Sequence, residues 1–446
     1  MIAIFLTREL NLNKILKRKN TKCLRVTSTV AKDAAMTQHK NVFPAKSQWL
    51  ILGATHYMGR ALAKKAQSEG LVPVLADNSI SRLRHFAQKL DLPWCLVSYD
   101  EKASLVKAFS KVAVVINCYT SSVRKTQACV EACIQAGVHY IDGCQDYRLL
   151  SVLYHYHDEA LKKNIIVMSS CGLASVTEAM ARLMVKQSLM FDEKKEEKHT
   201  FVNRIVPFKF LVAIEGFDPK NIIHLGSILN MGLPTGIEWR KGALKKLKIS
   251  KRIRNITLRN EKKTGIVFPL PEIISLPRRL PVESIRTLII QPRLYAGCFA
   301  FMGWLNEKVT KRKSLLGFFQ KGAVPLSKYL RTKIVQLDKE RLYIWIKGKQ
   351  GELDLPMVGI ETEGLYPLIL DAQIRALKAI PSVTVRGVVS MVDGLGERAV
   401  LQGDLRVLYG INSDMASAEG QRIAATPAAE LLSNQGNIIR DEVVYE

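Results

Sequence analysis

Between residues 49 and 169, six short apolar runs alternate with segments of helical periodicity, joined by short connections. The runs lie at 49–52, 72–76, 94–97, 112–117, 138–141 and 165–169. Runs that are apolar at every position are typical of strands covered by helices on both faces. Strict alternation of strands and helices favours a parallel sheet, because parallel neighbours need a crossover connection. We therefore predict an α/β fold built on a doubly wound parallel sheet.

The first strand ends in a turn with a glycine at each end, Gly53 and Gly59. A strand that enters a helix through such a turn presents backbone N–H groups and the positive end of the helix dipole to an anion. Rossmann-type folds bind the pyrophosphate of a dinucleotide there. We predict nucleotide contacts from the turn residues Gly53, Thr55, His56, Tyr57, Met58 and Gly59. The alternative is a purely structural turn, and His56 occupies a position where glycine is usual.

Asp77 closes the second apolar run and admits two interpretations. A carboxylate at this point can accept from the ribose hydroxyls of a dinucleotide and repel a 2′-phosphate, which favours NAD. It can equally cap the helix that begins near Ser79. Asn78 follows directly, and Arg82 and Arg84 could instead favour the phosphate of NADP. The sequence therefore predicts a nicotinamide cofactor, NAD or NADP, with Asp77 and Asn78 near the adenosine ribose.

Polar side chains also follow the fourth apolar run. Asn117, Cys118, Tyr119 and Thr120 stand at the carboxyl end of a predicted strand, where a nicotinamide ribose would lie. The serines that come next could simply cap the following helix. We predict that these four residues contact the cofactor.

General acid–base chemistry needs a titratable group within hydrogen-bond reach of the substrate. Tyr119, Tyr140 and Asp142 are the candidates that the strand ends offer. Tyr140 and Asp142 share one face of the fifth strand, because side chains alternate along a strand. The alternative is that both are buried polar residues whose hydrogen bonds are satisfied within the protein.

From residue 191 onward the alternation stops, and prolines, basic loops and isolated apolar runs take its place. Residues 208–214 and 342–347 have strand composition, and 366–380 has helical periodicity. The pattern predicts a second, α+β domain. We place a basic leader at 1–46, a dinucleotide-binding domain at 47–190, the second domain at 191–365 and a C-terminal segment at 366–446. The leader is disordered, or translated from upstream of the true start with Met36 as the alternative start, or an organelle-targeting presequence.

The formal charge of +26 is concentrated in two regions. One is the leader, and the other is the segment 240–263, which holds eleven Lys or Arg residues and a single acid, Glu261. Such a field favours phosphate-rich partners, including an anionic membrane surface. A solvated loop or a generally basic proteome would give the same pattern. Aromatic residues are not interleaved with the charges, so we expect no nucleic-acid partner.

Eight cysteines occur, none of them in a C-x-x-C pair, and no histidine cluster has zinc spacing. Several lie in apolar runs, as expected of reduced, buried thiols in a cytoplasmic protein. Prolines and charges interrupt the longest apolar stretch, which argues against a membrane span. We expect a cytoplasmic protein without a metal site, whose charge is compatible with peripheral contact with a membrane.

Several motifs, taken together, resemble the saccharopine dehydrogenase-like oxidoreductases, in particular the branch with the animal proteins of that name and the trans-acting enoyl reductases. Residues 53–60, Gly-Ala-Thr-His-Tyr-Met-Gly-Arg, are similar to the branch's G-A-T-G-Y-T-G-R. Residues 115–118 and 132–142 resemble its V-V-N-C and A-C-x-x-A-G-x-H-Y-x-D with the same spacing. Further similarity is found at 171–175, 268–278, 363–366 and 387–396.

The resemblance implies a Rossmann domain, a second domain for substrate and dimer contacts, and a C-terminal segment that returns to the first domain. It implies NAD(P)-linked hydride transfer with a small-molecule substrate, which the branch suggests is lipid-like. We therefore expect a homodimeric oxidoreductase. The alternative, motivated by the basic regions and by departures such as His56, is a non-catalytic Rossmann scaffold that acts at an anionic membrane surface or with a protein partner.

Overall fold

The computed structural model describes residues 49–119, 123–195, 206–216, 236–297, 300–301, 341–355, 357–402 and 405–409. The predicted leader, Thr120 and the polar C-terminal tail lie outside these ranges. Residues 46–300 and 338–446 belong to one compact unit, which contains two sheets. Among the described residues, no helix combines the length and the hydrophobicity that crossing a membrane would take.

Strands and helices are numbered here in chain order. The strands are β1 (Trp49–Leu52), β2 (Val74–Asp77), β3 (Trp94–Leu96), β4 (Val114–Asn117), β5 (His139–Asp142), β6 (Ile166–Met168), β7 (Phe208–Glu215), β8 (Ile237–Arg240), β9 (Ala243–Lys246), β10 (Ile253–Leu258), β11 (Glu261–Val267), β12 (Val282–Ile290), β13 (Leu342–Gln350), β14 (Leu353–Asp354), β15 (Val358–Thr362), β16 (Gly387–Val389) and β17 (Arg406–Tyr409). The helices are α1 (Tyr57–Ser68), α2 (Ile80–Leu90), α3 (Lys102–Phe109), α4 (Val123–Ala136), α5 (Tyr147–Leu153), α6 (His157–Lys162), α7 (Leu173–Lys195), α8 (Glu272–Arg279), α9 (Leu365–Ala379), α10 (Met391–Leu395) and α11 (Glu397–Val400).

The first sheet has seven strands in the order β16-β6-β5-β4-β1-β2-β3, and every neighbouring pair is parallel. The order 3-2-1-4-5-6 within it is that of a doubly wound Rossmann sheet. Strands β1, β2 and β4 are buried at every position, because helices cover both faces. The predicted Rossmann-type fold is confirmed, and α3 and α4 are two of the helices that the alternating pattern predicts between the strands.

Strand β16 lies at the outer edge of this sheet and pairs in parallel with β6, with Gly387 beside Ile166. Its three residues lie far along the chain from the other strands of the sheet. This strand could not be predicted from the sequence, because such a short run carries no periodicity and its pairing is entirely non-local. Helix α5 and the long helix α7 were also missed.

The second sheet has ten strands and is mixed. Strands β7 and β12 are parallel, and the other pairs are antiparallel. Strands β7 and β13, which were predicted at 208–214 and 342–347, pair with each other. Ala213, Leu288 and Trp345 pack together in part of the hydrophobic core of the second sheet. The predicted second domain of mixed secondary structure is thus confirmed as a fold class.

Candidate functional site

The turn after β1 depends on Gly53. This residue has φ +80, a conformation that L side chains rarely adopt, and its N–H donates to Ala76 O over 2.9 Å. A Cβ atom here would lie 2.8 Å from Tyr119 Cβ and 2.9 Å from Tyr119 N. Glycine is therefore required both for the backbone angle and for the close approach of the chain after β4.

Gly59 has a different function from Gly53, because its φ is ordinary and its constraint is packing. A Cβ atom at Gly59 would lie 2.8 Å from Ala54 Cα and closer still to the carbonyl oxygen of Gly53. The first turn of α1 thus rests directly on the turn that precedes it. These are the functions of the first and third glycines in a dinucleotide-binding turn: a tight turn, and close contact between helix and strand.

His56 is the N-cap residue of α1, with φ −76 and ψ 162. This extended conformation suits any L residue, so the backbone there does not require glycine. The imidazole makes no capping hydrogen bond, and the first turn of α1 contains no acidic residue. Burial lowers the pKa of His56; Asp77 opposes this effect, and Arg82 and Arg60 reinforce it. The ring is therefore neutral at pH 7, and the positive end of the helix dipole is not offset by a carboxylate in that first turn.

The Asp77 carboxylate is fully buried and is bonded within the protein. Its Oδ2 accepts from Thr55 N at 2.8 Å and from Thr55 Oγ1 at 2.6 Å. Its Oδ1 accepts from Asn78 N at 2.7 Å and from the Tyr99 hydroxyl at 3.3 Å. Four donors fill the four acceptor positions of a carboxylate. In this structure Asp77 thus fastens the glycine turn to the end of β2, and Ser79 is the N-cap residue of α2.

An aromatic group covers the turn. The Tyr119 ring stacks on Tyr99, with ring centroids 3.9 Å apart and an interplanar angle of 18°. The His56 ring lies 4.8 Å from Tyr119. Tyr119 follows β4 whereas Tyr99 follows β3, so the stacked rings bridge the strand ends on either side of the turn. Sequence reasoning missed Tyr99, and its position just after a predicted strand was the only available signal.

Asn117 and Cys118 stabilise the loop after β4, which carries Tyr119. Asn117 is fully buried; its Nδ2 donates to the Tyr140 hydroxyl at 3.0 Å, and its Oδ1 accepts from Tyr119 N at 2.8 Å. Burial raises the pKa of the Cys118 thiol to about 12, so the sulfur is protonated and is a poor nucleophile. The predicted contact residue Thr120 lies outside the described residues.

Tyr140 and Asp142 have no exposed surface. The Asp142 carboxylate accepts from Cys144 N, Ser169 Oγ and Ser170 N at 2.8 to 3.0 Å. Burial raises the pKa of Asp142, although these hydrogen bonds oppose the effect. Burial also raises the pKa of Tyr140 well above its usual value. The arrangement is that of satisfied buried polar residues that hold the loops after β5 and β6 in place.

Tyr57 and Met58 begin helix α1, and Tyr57 is about half exposed. The Tyr57 ring meets Tyr366 of α9 edge to face, with centroids 5.2 Å apart. Arg60 of α1 and Arg82 of α2 are both exposed and both lie near enough to affect His56. The Arg82 Nε donates to Ser79 Oγ at 3.0 Å. Two cations thus lie near His56 of the glycine turn.

A known family model matches the part of the chain that contains strands β1 to β6 of the first sheet. The family model described as the saccharopine dehydrogenase NADP binding domain matches residues 49–168. The saccharopine dehydrogenase-like oxidoreductase of Rattus norvegicus is 22% identical over 166 residues, 37% of this chain and 34% of that protein. The match thus spans about a third of the length of this curated relative.

One solved structure has the same overall architecture. Apo saccharopine dehydrogenase (L-Glu forming) from Saccharomyces cerevisiae matches with a TM-score of 0.52 at 10% identity, covering 80% of this chain and 96% of that one. A short-chain type dehydrogenase/reductase from Mycobacterium ulcerans matches 28% of this chain and 66% of its own, at 10% identity and a TM-score of 0.24. The first match extends over both sheets and therefore concerns the architecture as a whole.

Proposed function

Because this chain belongs to the saccharopine dehydrogenase-like family, we propose that it is an oxidoreductase that uses NADP(H) and a small-molecule substrate. The observation that carries the proposal is the turn between β1 and α1. Gly53 and Gly59 meet the two steric demands of a dinucleotide-binding turn, and α1 begins with an uncapped positive end. The resemblance of the sequence motifs to the enoyl reductase branch supports a lipid-like substrate.

The preference for NADP over NAD rests on charges near the end of β2. Asp77 is buried and its acceptor positions are filled, so its carboxylate is not presented to a ribose. Arg60 and Arg82 are exposed, and both lie near enough to His56 to lower its pKa. Arginine binds phosphate groups through charge-assisted hydrogen bonds. The description of the matching family model also names NADP.

The residues of this chain would act mainly by binding and orienting. The turn from Gly53 to Gly59 would hold the pyrophosphate, and the stacked rings of Tyr99 and Tyr119 would shield the turn from water. A bound nicotinamide supplies hydride chemistry. Hydride transfer depends chiefly on the orientation of the reacting carbons, so the burial of Tyr140 and Asp142 does not argue against it.

We expect NADPH to stabilise the purified protein against thermal unfolding more than NADH does. Replacing Arg82 with alanine should weaken NADPH binding about tenfold, because one charge-assisted contact to a phosphate is worth roughly 1.5 kcal/mol. NADH binding should not change. Calorimetric titration of both nucleotides measures the two affinities.

The matched control is Arg84→Ala. Arg84 is exposed on the same helix, two residues on, and therefore points to the opposite side of α2. It should leave both affinities unchanged. If neither nucleotide bound at millimolar concentration, the proposed activity would be wrong. If both bound equally, the activity could stand and only the proposed preference for NADP would be wrong.

A second candidate function is binding to an anionic membrane surface. Nine Lys or Arg residues between 240 and 262 are exposed, among them Lys241 and Lys245 of the β8–β9 hairpin. The hairpin also exposes Leu244, and all four residues of β9 are exposed. Lysines on such a strand could equally serve to prevent edge-to-edge aggregation. The exposed leucine among the lysines favours a lipid surface, where both would be accommodated.

We expect the protein to co-sediment with phosphatidylserine vesicles at low salt and not with phosphatidylcholine vesicles. The double substitution Lys241→Glu/Lys245→Glu should weaken this binding at least about tenfold, because each basic residue near an anionic surface contributes about 1 kcal/mol. The control Lys162→Glu/Lys163→Glu changes the net charge equally at the exposed end of α6. Equal losses in both variants would indicate attraction by net charge alone.

A further inference from the structure

The side chain of His56 stands where a dinucleotide-binding turn usually has its second glycine. That glycine allows the backbone to approach the pyrophosphate closely. A histidine at the same point adds a Cβ atom and a ring on the side of the turn that the phosphates would approach. The backbone there is extended, with φ −76 and ψ 162, so the ring is carried without strain. The substitution therefore exchanges a close backbone contact for a side-chain contact.

The His56 ring is half-buried and leaves the end of helix α1 uncapped. It makes no hydrogen bond to the first turn of the helix. Its aromatic neighbour is Tyr119, with ring centroids 4.8 Å apart and an interplanar angle of 51°. An imidazole at a helix N-terminus lies beside the backbone N–H groups that bind anions, and its own N–H can donate to the same anion.

Charged and polar groups surround this ring on four sides. Asp77 comes from β2, Arg60 from α1, Arg82 from α2 and Tyr119 from the loop after β4. Burial lowers the pKa of His56; Asp77 opposes this effect, and the two arginines reinforce it. The positive end of α1 acts in the same direction as the arginines. In the protein alone, these groups keep the imidazole neutral at pH 7.

An anion at the glycine turn would reverse this balance. The pyrophosphate of a dinucleotide carries negative charge to the N-terminus of α1, beside His56 and close to the two arginines. A nearby negative charge favours the protonated form of an imidazole. A protonated ring donates a charge-assisted hydrogen bond to a phosphate oxygen, about twice as strong as the bond from a neutral ring. Binding of the phosphate and binding of the proton therefore favour each other.

We propose that the His56 ring binds the pyrophosphate of the cofactor and takes up a proton from solvent as it does so, which makes cofactor binding stronger in mild acid. The proton returns to solvent when the cofactor leaves. The inference rests on the proposed function, because it concerns the same turn. It assigns to a side chain the contact that a glycine at this position would leave to the backbone.

Calorimetric titration of the full-length protein with NADP⁺, between about pH 5.5 and about pH 8, tests this coupling. His56→Gln keeps a neutral N–H donor and cannot take up a proton. We expect the ratio of its dissociation constant to that of the unmodified protein to be about tenfold larger at the acid end of the range than at the alkaline end. At pH 7, buffers of different ionisation enthalpy should show more proton uptake by the unmodified protein than by His56→Gln.

His85→Gln is the matched control, because His85 is an exposed histidine on α2. It should reproduce the pH profile of the unmodified protein. The 2′-phosphate of NADP⁺ also titrates near pH 6. It is present in every titration, so the comparison between variants removes its contribution. His56→Gln should retain the melting temperature of the unmodified protein, since the imidazole makes no capping hydrogen bond.

The possible outcomes separate this inference from the proposed function. If NADP⁺ binds and the ratio of dissociation constants is the same at every pH, the proton-linked contact is wrong and the proposed function stands. Equal proton uptake in the unmodified protein and in His56→Gln would contradict the inference in the same way. If NADP⁺ binds at no pH in the range, the proposed function is wrong, and the inference is wrong with it.

Discussion

Replacing Gly59 with alanine is expected to abolish dinucleotide binding and to destabilise the fold by about 3 kcal/mol, the upper part of the usual range for overpacking. The added Cβ would lie 2.8 Å from Ala54 Cα and closer to the Gly53 carbonyl, and both of these are backbone atoms with little freedom to move. Helix α1 would have to shift away from β1 and carry its N-terminus off the turn. Urea unfolding and NADPH titration measure the two effects.

Gly297→Ala provides the control for this substitution. Gly297 is also helical, has no positive φ, and a Cβ atom there would meet nothing within 4 Å. Alanine should therefore be neutral or slightly stabilising at that position, because it favours the helix over the unfolded chain. If Gly59→Ala were as stable as Gly297→Ala and still bound NADPH, the described packing of α1 on the turn would be incorrect.

Glu272→Gln is expected to raise stability at neutral and alkaline pH by up to about 3 kcal/mol. Glu272 is fully buried at the start of α8, where it accepts from Thr177 Oγ1 at 2.8 Å and its second oxygen has no partner. Burial, assisted by nearby Glu178, raises its pKa from 4.5 to about 7. Glutamine has the shape of the protonated acid and carries no charge to bury.

The direction of the pH dependence follows from the pH at which Glu272 loses its proton in the unfolded chain and in the folded protein. Between pH 4.5 and about 7 the unfolded chain has lost the Glu272 proton and the folded protein retains it. Stability therefore falls as the pH rises through this window and is constant on either side of it. Urea unfolding at a series of pH values should show this slope in the unmodified protein and a shallower one in Glu272→Gln.

Glu352→Gln serves as the comparison for this profile, because the Glu352 side chain is fully exposed. It should leave the pH profile of unfolding as it is in the unmodified protein. Parallel profiles for the unmodified protein and Glu272→Gln would show that Glu272 is ionised across the whole pH series. The raised pKa of Glu272 would then be wrong.

Some of the site could be predicted from the sequence because its signals are local. The apolar run at β1, the glycines at 53 and 59 and the helical periodicity of α1 lie within twenty residues, and together they predict a strand, a turn and a helix. Other parts depend on contacts across the chain. Tyr99 stacks on Tyr119, and Asn117 donates to Tyr140, although nothing in either local sequence indicates a partner.

Asp77 shows most clearly where sequence reasoning reaches its limit. Its position at the end of β2 was predictable, but a free carboxylate and a bonded one are identical in sequence. Only the folded chain shows that Thr55, Asn78 and Tyr99 fill its acceptor positions. His56 shows the same limit. A histidine in place of the usual glycine suggested backbone strain, but its φ of −76 is an ordinary extended conformation.

The sequence by itself determined the alternation of strands and helices and the place of the glycine turn, because hydrophobic periodicity and glycine act over a few residues. The tertiary structure alone decided that β16 completes the first sheet and that Asp77 and Asp142 fasten loops. Burial and hydrogen-bond satisfaction are properties of neighbours in space. For these residues the neighbours are separated by up to hundreds of positions along the chain.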